Sequence, residues 1–464
     1  MSTSNTSPVD QNVFDPQAAA ELREKRKARI QKTLAKRHRT ENSFRIFGFS
    51  AVVIGLAFVA LLFGSILYKG LPAFWQASIK VPVYFDPKVI DAGPKPVQSA
   101  GESPAHYQER YIAWQTKMGM VDWDSLIVNA MIAKDPTLVS KRDDLGSLYT
   151  SSEAYRLRDM VFKDPSLIGQ KEEIKFLADA NIDVWLAGNI DHTLPDEQQQ
   201  LSPEVRKLTD QLSASGLIER TFNLQLFTNP DSRSSPATAG LAGAFMGSLF
   251  MMIIVIFISI PIGVASAVYL EEFAKQNWLT DVIEVNINNL AAVPSIVFGL
   301  LGASIFIGWM HMPISAPLVG GLVLSLMTLP TVIITTRASL KAVPPSIRQA
   351  ALGLGASRVQ TIFHHVLPLA LPGILTGAII GVAQALGETA PLLLIGMSAF
   401  VANIPSTPLD QSTALPVQVF LWQGNELRNF FEGRTAAAII VLLAMMIGLN
   451  SLAIWLRKKF EVRW

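Results

Sequence analysis

The chain has 464 residues, of which half are hydrophobic and 16% charged, with a net charge of +2 and a mean hydropathy of +0.33. A composition this apolar excludes an ordinary soluble globular chain and makes a polytopic membrane protein the expectation. The absence of cysteine excludes disulfides, thiolate metal sites and cysteine nucleophiles; the histidines are scattered apart from His364 and His365, so no metal site is expected.

In chain order, Met1 to about Gln17 is rich in Ser, Asn, Asp and Pro without periodicity and reads as disordered. Ala18 to Arg39 is helix-forming and strongly basic. Such a run can bind nucleic acid or anionic lipid, but its place directly before an apolar span makes it a positive-inside flank. Membrane lipid is therefore an expected partner and nucleic acid is not. The first apolar run begins too late for a signal peptide. Residues 1–43 form a cytoplasmic basic arm and residues 44–68 a first transmembrane helix.

With about 20 apolar residues per crossing, the spans fall near Phe44–Tyr68, Leu241–Leu270, Ile287–Met310, Pro317–Thr336, Leu371–Ser398 and Thr435–Leu456. Arg337, Lys341, Arg348 and Arg358 lie between the fourth and fifth spans, and Arg457, Lys458, Lys459 and Arg463 follow the sixth. All fall on the side of the basic arm, which places both termini in the cytoplasm. The acidic Glu271–Glu284 loop argues weakly against this assignment.

Residues 69–239 form an extracytoplasmic domain long enough to fold by itself. Val81 to Pro104 reads as extended. Helical periodicity appears near Ala105–Met118, Trp123–Ala133, Ser152–Phe162, Glu172–Leu186 and Pro203–Leu212, so the insert is expected to be mainly helical. Its acidic side chains outnumber its basic ones, which excludes an oxyanion site there, and no catalytic constellation is visible. A structural or docking role is the expectation.

Residues 240–456 are the five-span core, followed by a cytoplasmic tail, 457–464. Within it the loop 337–368 carries the densest pattern. Ser346 and Gln349 predict a capping box opening a helix whose Ile347, Ala350, Ala351 and Leu354 form an apolar face centred on two alanines. Gly355 stops that helix. Ser357 and Gln360 predict a second box, and Val359, Ile362, Phe363, Val366 and Leu367 are expected to face one way before Pro368 turns the chain toward the membrane. An ordinary helix–turn–helix is the bland alternative.

Three further patterns lie inside the spans. Pro294 is expected to kink the third span and free backbone carbonyls, making Asn289 and Ser295 candidates to line a translocation path. Pro330 does the same beside Thr331, Thr335 and Thr336. In the fifth span Gly373, Gly377 and Gly381 give a small-xxx-small packing face, with Gln384 and Glu388 within about 80° of it. A carboxylate facing lipid at the bilayer centre costs about 2.5–3.5 kcal/mol, so Glu388, followed by Thr389, is a candidate to face a cavity, a cation of a neighbouring subunit or a protonated substrate oxygen. The alternative places Glu388 at the outer helix end, bonding backbone loosened by Pro391.

Ala350, Ala351, Gly355, Leu367 and Pro368 match the EAA loop of ABC-importer permeases, with Gln349 in place of Glu and His365 in place of Ile. Together with Asn289–Gly299 and the Gln384–Leu393 stretch, this resembles the PstA-type permease subunit family of the phosphate ABC importer, in a branch with an extra domain after the first span. The resemblance implies an all-α polytopic membrane protein with the type I ABC importer permease fold, in the bacterial inner membrane. It also implies a second homologous permease, two ATP-binding subunits docked on Gln349, Ala350, Ala351, Gly355, Leu367 and Pro368, and an extracytoplasmic phosphate-binding protein. No cofactor is expected on this chain: it has no G-x-x-x-x-G-K-S/T, so ATP belongs to a separate subunit and the chain is no enzyme. Gln384 and Ile334 stand where many phosphate permeases carry arginines, which leaves another oxyanion open. The rivals are a membrane sensor with an outer ligand domain and an ion-driven transporter, which would show repeated halves and paired intramembrane charges.

Overall fold

A computed structural model describes residues 16–190 and 192–460. It divides at Ser65 into two units. One helix beginning at Pro16 runs through the basic arm and the apolar stretch of the first unit without a break, and its last residues, to Gly70, belong to the second. No glycine or proline interrupts it between Gln17 and Phe47, and the Thr33 and Ser43 hydroxyls return to carbonyls one turn back. Of the segment expected to be disordered, residues 1–15 lie outside the described residues, while Pro16 and Gln17 already belong to the helix. The apolar side chains of the span, such as Phe47 and Phe58, are exposed, as lipid-facing residues are.

The insert is mostly helical, but it is built on a three-stranded antiparallel sheet that the sequence pattern did not reveal. β1 (Trp75–Tyr84) lies between β2 (Lys171–Leu177) and β3 (Ile218–Phe222). Ile79 pairs with Phe176 on one side and Ile218 on the other. Ala77, Ile79, Val81 and Val83 alternate into the core and are fully buried. Pro82 is tolerated because β3 pairs only as far as Ile79, which leaves Pro82 with β2 alone. The stretch Glu172–Leu186, read as one helix, is strand β2 followed by a short helix, Ala180–Leu186, capped by Asp179. Pairing with β1 overrides its helix-forming composition. The other insert helices are Pro104–Met120, Trp123–Lys134, Ser152–Lys163 and Pro203–Ala214, with Ser103, Asp122 and Ser202 as N-caps on the first, second and fourth.

Asp183 is buried under this sheet, where its carboxylate accepts the Ala77 N–H at 2.8 Å and lies 3.8 Å from Arg220. Burial pushes its carboxyl above the usual carboxylate range, against the opposing pull of Ala77, Arg220 and Arg434. The fold therefore favours the neutral form. That stabilisation is complete below the unfolded value of about 3.9 and is lost as pH rises through the folded value. Asp183→Asn is expected to remove this part of the pH dependence, so that native stability falls relative to the variant's as pH rises; thermal unfolding across a pH series checks it.

A polar knot joins insert and membrane core. Arg434, only 3% exposed at the insert end of the sixth span helix, donates to Gln76 Oε1 at 2.7 Å, to the Ala237 carbonyl at 2.9 Å and to the Ala239 carbonyl. Gln76 Nε2 donates to the Ala237 carbonyl at 3.0 Å, and Asn223 donates to Gln76 Oε1. The guanidinium lies 4.6 Å from the Phe430 ring.

Among the described residues five helices are long and apolar enough to cross a membrane, or six if a bent pair counts as one span. The second is Ala242–Val268, the fourth Pro317–Lys341, the fifth Leu367–Gly387 and the sixth Arg428–Phe460. The third span is not the kinked rod expected over Ile287–Met310. It consists of Trp278–Ala291 and Ser295–Trp309, bent by 103° at the residues before Ser295. Pro294 removes an N–H and keeps Val293 out of the helical region, so the helix stops rather than bends gently. The fifth span, expected to reach Ser398, ends at Gly387; a short turn at Ala390–Leu392 follows. Among the described residues three segments are widened to π-helix, Tyr269–Phe273, Ala303–Trp309 and Ile362–Val366, while Leu393–Met397 is kinked at Gly396, which takes φ +92°.

Candidate functional site

The loop between the fourth and fifth spans folds as two helical pieces, and its start differs from the expected one. Pro345 occupies the first turn, where a missing N–H costs nothing, so the helix runs Pro345–Gly353 with Pro344 at the N-cap. Ser346 is then already inside, and the Ser346–Gln349 capping box does not form; Gln349 is exposed. The end is as expected. Gly355 adopts φ +87°, Gly355 N–H reaches the Leu352 carbonyl at 3.0 Å, and Ala356 N–H reaches Ala351 at 3.1 Å. This is a Schellman motif, which needs a residue free to take positive φ. The second box forms: Ser357 Oγ accepts from Gln360 N–H at 3.2 Å and Ser357 N–H donates to Gln360 Oε1 at 2.9 Å.

Pro368 does not turn the chain. The helix runs from Arg358 through the wide turn Ile362–Val366 into the fifth span. That wide turn absorbs the ring, which in a regular helix clashes with the carbonyl four residues back. The residues expected to share a face separate: Ile362 and Val366 are buried, while Val359 and Phe363 are each 53% exposed.

What remains open is a groove. Ile347, Ala350, Ala351, Leu354, His365 and Leu369 line a cavity of about 560 Å³. Leu354, at the C-cap of the Pro345–Gly353 helix, is 91% exposed. Beneath the groove Val268, Leu340, Val343, Ile362, Val366, Ala370 and Ile374 form a closed apolar cluster. The groove is thus an apolar seat that includes two alanines, packed on that cluster through Ile347 and Leu369.

Charges to which no sequence motif assigns a role hold this seat in place. Arg348 clamps Glu272 with Nη2 at 2.6 Å and Nε at 3.2 Å, and donates to the Val343 and Leu340 carbonyls at 2.7 and 2.9 Å. Arg337 bonds Glu271 at 3.2 Å and Glu284 at 3.0 Å, and Lys341 lies 3.7 Å from Glu271. The acidic loop, whose charge argued weakly against the assigned orientation, is neutralised by these partners. Bidentate, partly buried pairs of this kind fix geometry as well as contribute energy. The only signal in the sequence was the opposite charge of the two loops.

The glycine face of the fifth span packs on the fourth. A Cβ on Gly373 would collide with Ser339 and one on Gly377 with Thr335, while one on Gly381 would come within 2.7 Å of Thr328. Thr335 is therefore wedged between helices, its hydroxyl returned to the Thr331 carbonyl at 2.7 Å, and does not line an opening; Thr331 is half-buried. Gln384 is exposed.

Glu388 sits at the C-cap of the fifth span, half-buried, with Thr389 next to it; its side chain has no hydrogen-bond or ion-pair partner among the described residues. It does not bond the backbone near Pro391, although it does lie at the helix end. A carboxylate there lies at the negative end of the helix dipole, a position that favours a neighbouring cation. Gly299 brings the second half of the bent pair onto this break: a Cβ on Gly299 would lie 2.6 Å from Pro391 Cα. Ser295, half-buried, opens that half-helix, and Asn289, exposed, closes the preceding one. The structure thus joins the half-helix that begins at Ser295 to the segment after Glu388.

Residues 259–464 match a family described as binding-protein-dependent transport system inner membrane component, and residues 31–196 match a domain of unknown function (DUF3333). The chain is 33% identical over 248 residues to the phosphate transport system permease protein PstA of Yersinia pestis, covering 51% of this chain and 80% of that one. It is 29% identical over 263 residues to the probable ABC transporter permease protein YqgI of Bacillus subtilis, covering 53% and 87%. Among solved structures, an inward-facing MetNI methionine ABC transporter aligns at 15% identity over 48% of this chain and 95% of the matched chain, with a TM-score of 0.38.

Proposed function

The chain belongs to the family of the phosphate transport system permease protein PstA, and from that premise we propose that it is the permease through which an ATP-driven importer carries inorganic phosphate across the bacterial inner membrane. It is a multi-pass inner-membrane protein. Membership of this family replaces the sensor and ion-driven alternatives.

The observation that carries the coupling role is the groove under Leu354. A preformed apolar seat that includes two alanines, with a wall held by Arg348–Glu272, suits a protruding element of an ATP-binding subunit. In this reading Gln349, Ala350, Ala351, Gly355, Leu367 and Pro368 belong to that contact, and ATP is bound and hydrolysed on two partner subunits while this chain holds no cofactor. Both termini then lie in the cytoplasm, with the insert outside, where a phosphate-binding protein delivers its cargo. A second homologous permease completes the path.

For the path itself, the two helix breaks are the candidates: Asn289 and Ser295 at one, Gln384, Glu388 and Thr389 at the other, with Thr331 behind them. Thr335 packs rather than lines, and Gly373, Gly377 and Gly381 hold the fourth and fifth spans together. Arg337 is occupied by Glu271 and Glu284, so it is not the anion's counter-charge. That charge comes from the partner permease, or phosphate is held through hydroxyl and amide donors. The uncharged Gln384 and Ile334 favour a second reading, transport of another oxyanion.

The test is labelled phosphate uptake in phosphate-starved cells lacking the gene. The native chain is expected to restore uptake. Glu272→Arg, present at native level, is expected to lower it about tenfold, because Arg348 then faces a like charge instead of a partner worth about 1.5–3 kcal/mol. Glu272→Arg with Arg348→Glu is expected to recover part of the activity, limited by the lost bonds to Val343 and Leu340. Uptake of a different oxyanion by the native chain, with none of phosphate, overturns the substrate and leaves the coupling seat intact.

A further inference from the structure

The insert carries an exposed row of aromatic rings at the level where the spans leave the membrane. Phe74 stacks on Phe227 with centroids 5.7 Å apart, Phe227 on Phe222 at 6.1 Å, and Trp75 meets Phe222 edge-on at 5.8 Å. Phe74 is buried in the same apolar cluster as Met251, Met252 and Val255 of the second span. The other three rings are not covered: Trp75 is 45% exposed, Phe222 53% and Phe227 40%, with Leu224 beside them at 64%.

The height of this row is fixed by covalent and hydrogen-bonded neighbours. Trp75 follows the end of the first span helix, Gly70, by five residues, and Gly70 rests on Ala436 of the sixth. The segment carrying Phe227 is tied to the opening turn of the second span: Leu241 N–H bonds the Leu226 carbonyl at 2.7 Å, Gly240 bonds Pro230 at 2.8 Å and Ala242 bonds Asn229 at 3.1 Å. Three helices that cross the membrane thus meet the rings at their insert-side ends.

Trp75 gives the second observation. The other insert tryptophans all donate their indole N–H: Trp114 to the Gly93 carbonyl, Trp123 to Met118 and Trp185 to Asp210. The Trp75 indole N–H has no partner among the described residues. A half-exposed indole with a free N–H, in a row of apolar rings where spans emerge, suits the boundary between acyl chains and headgroups. The nearby cations are already engaged: Arg220 donates to the Pro72 and Trp75 carbonyls and Lys69 pairs with Glu432.

We propose that Trp75, Phe222, Leu224 and Phe227 form a lipid-seated skirt, by which the insert rests on the headgroup and upper acyl region of the leaflet on its own side. The insert is then not free in the aqueous phase but held at a fixed height and tilt on the bilayer. The occupant of this face is lipid rather than a protein partner. The proposal rests on the membrane reading of the spans, not on the transported ion.

The native chain has no cysteine, so single reporters can be placed without further change. Phe222→Cys, Leu224→Cys and Phe227→Cys, each labelled with bimane, are compared with Val139→Cys and Tyr155→Cys, which are similarly exposed but sit on elements packed into the insert's own core. The full chain with its partner subunits is reconstituted in phosphatidylcholine vesicles with and without lipid carrying a nitroxide high on the acyl chain. The skirt labels are expected to be quenched about twofold or more beyond the two controls, as for side chains at the membrane interface. Quenching no greater than at the controls overturns the proposal. So does a face that becomes shielded from both the nitroxide lipid and a water-soluble quencher only in the assembled complex, which assigns it to a protein partner. Native uptake by the labelled variants shows that each is folded, so loss of quenching is distinguishable from loss of transport.

Discussion

Arg434→Met is expected to destabilise the protein by about 3–5 kcal/mol, the range for removing one partner from a buried charged network. The loss has identifiable parts. The Ala239 carbonyl is left without its donor, Gln76 and the Ala237 carbonyl each lose one bond, and the Phe430 ring loses a cation. Asp183 and Asp231 also lose the positive charge that faces them. Arg434→Lys keeps the charge but cannot present a planar fork to three acceptors, so it should fall between the two. Thermal unfolding of the detergent-purified chain, followed by size-exclusion fluorescence, reads the shift. A methionine variant as stable as the native protein means that apolar contacts, not this knot, hold insert and core together.

Ala350→Trp is expected to abolish ATP-driven uptake, by about a hundredfold or more, at undiminished membrane level. The indole fills the groove bounded by Ile347, Leu354, His365 and Leu369, and excluding the partner's anchor from the centre of a docking seat costs about 2–4 kcal/mol. Because Ala350 is exposed, the substitution does not disturb the cluster below. Phe363→Trp, on an exposed side outside the groove, is the control and should transport normally. Equal loss in both variants places the docking surface elsewhere on the loop.

The parts of this molecule legible in its sequence are those written in local chemistry. Hydropathy located the spans, Gly355 marked its own positive φ, and Ser357 with Gln360 announced a cap that forms. The parts missed depend on what lies across from a residue. Glu172–Leu186 has the composition of a helix, yet its first half pairs with β1, a strand that itself follows the first span so closely that it reads as its tail. Ser346 has the chemistry of an N-cap, but the two prolines before it start the helix first. Arg348 and Glu272 are 76 residues apart, and no spacing rule connects them. Thr335 looked like a path residue by polarity, but Gly377 opposite it leaves room only for packing. Glu388 was recognised by its cost in an apolar run, while its place at a helix end came from the break at Gly387, which composition does not signal.

The wide turn before the fifth span bears on how the chain tolerates a change of length. A π segment is a helix holding one residue more than its hydrogen bonds require. Ile362–Val366, with helix on both sides, therefore holds one residue more while the flanking helices keep their register with their neighbours. Deleting a single residue there restores regular α-helix and leaves the flanking helices in register, whereas the same deletion within a regular stretch rotates everything downstream by about 100°. One residue lost from Ile362–Val366 therefore leaves the glycine face of the fifth span on Ser339, Thr335 and Thr328, while one residue lost between Leu369 and Pro372 turns that face away from them.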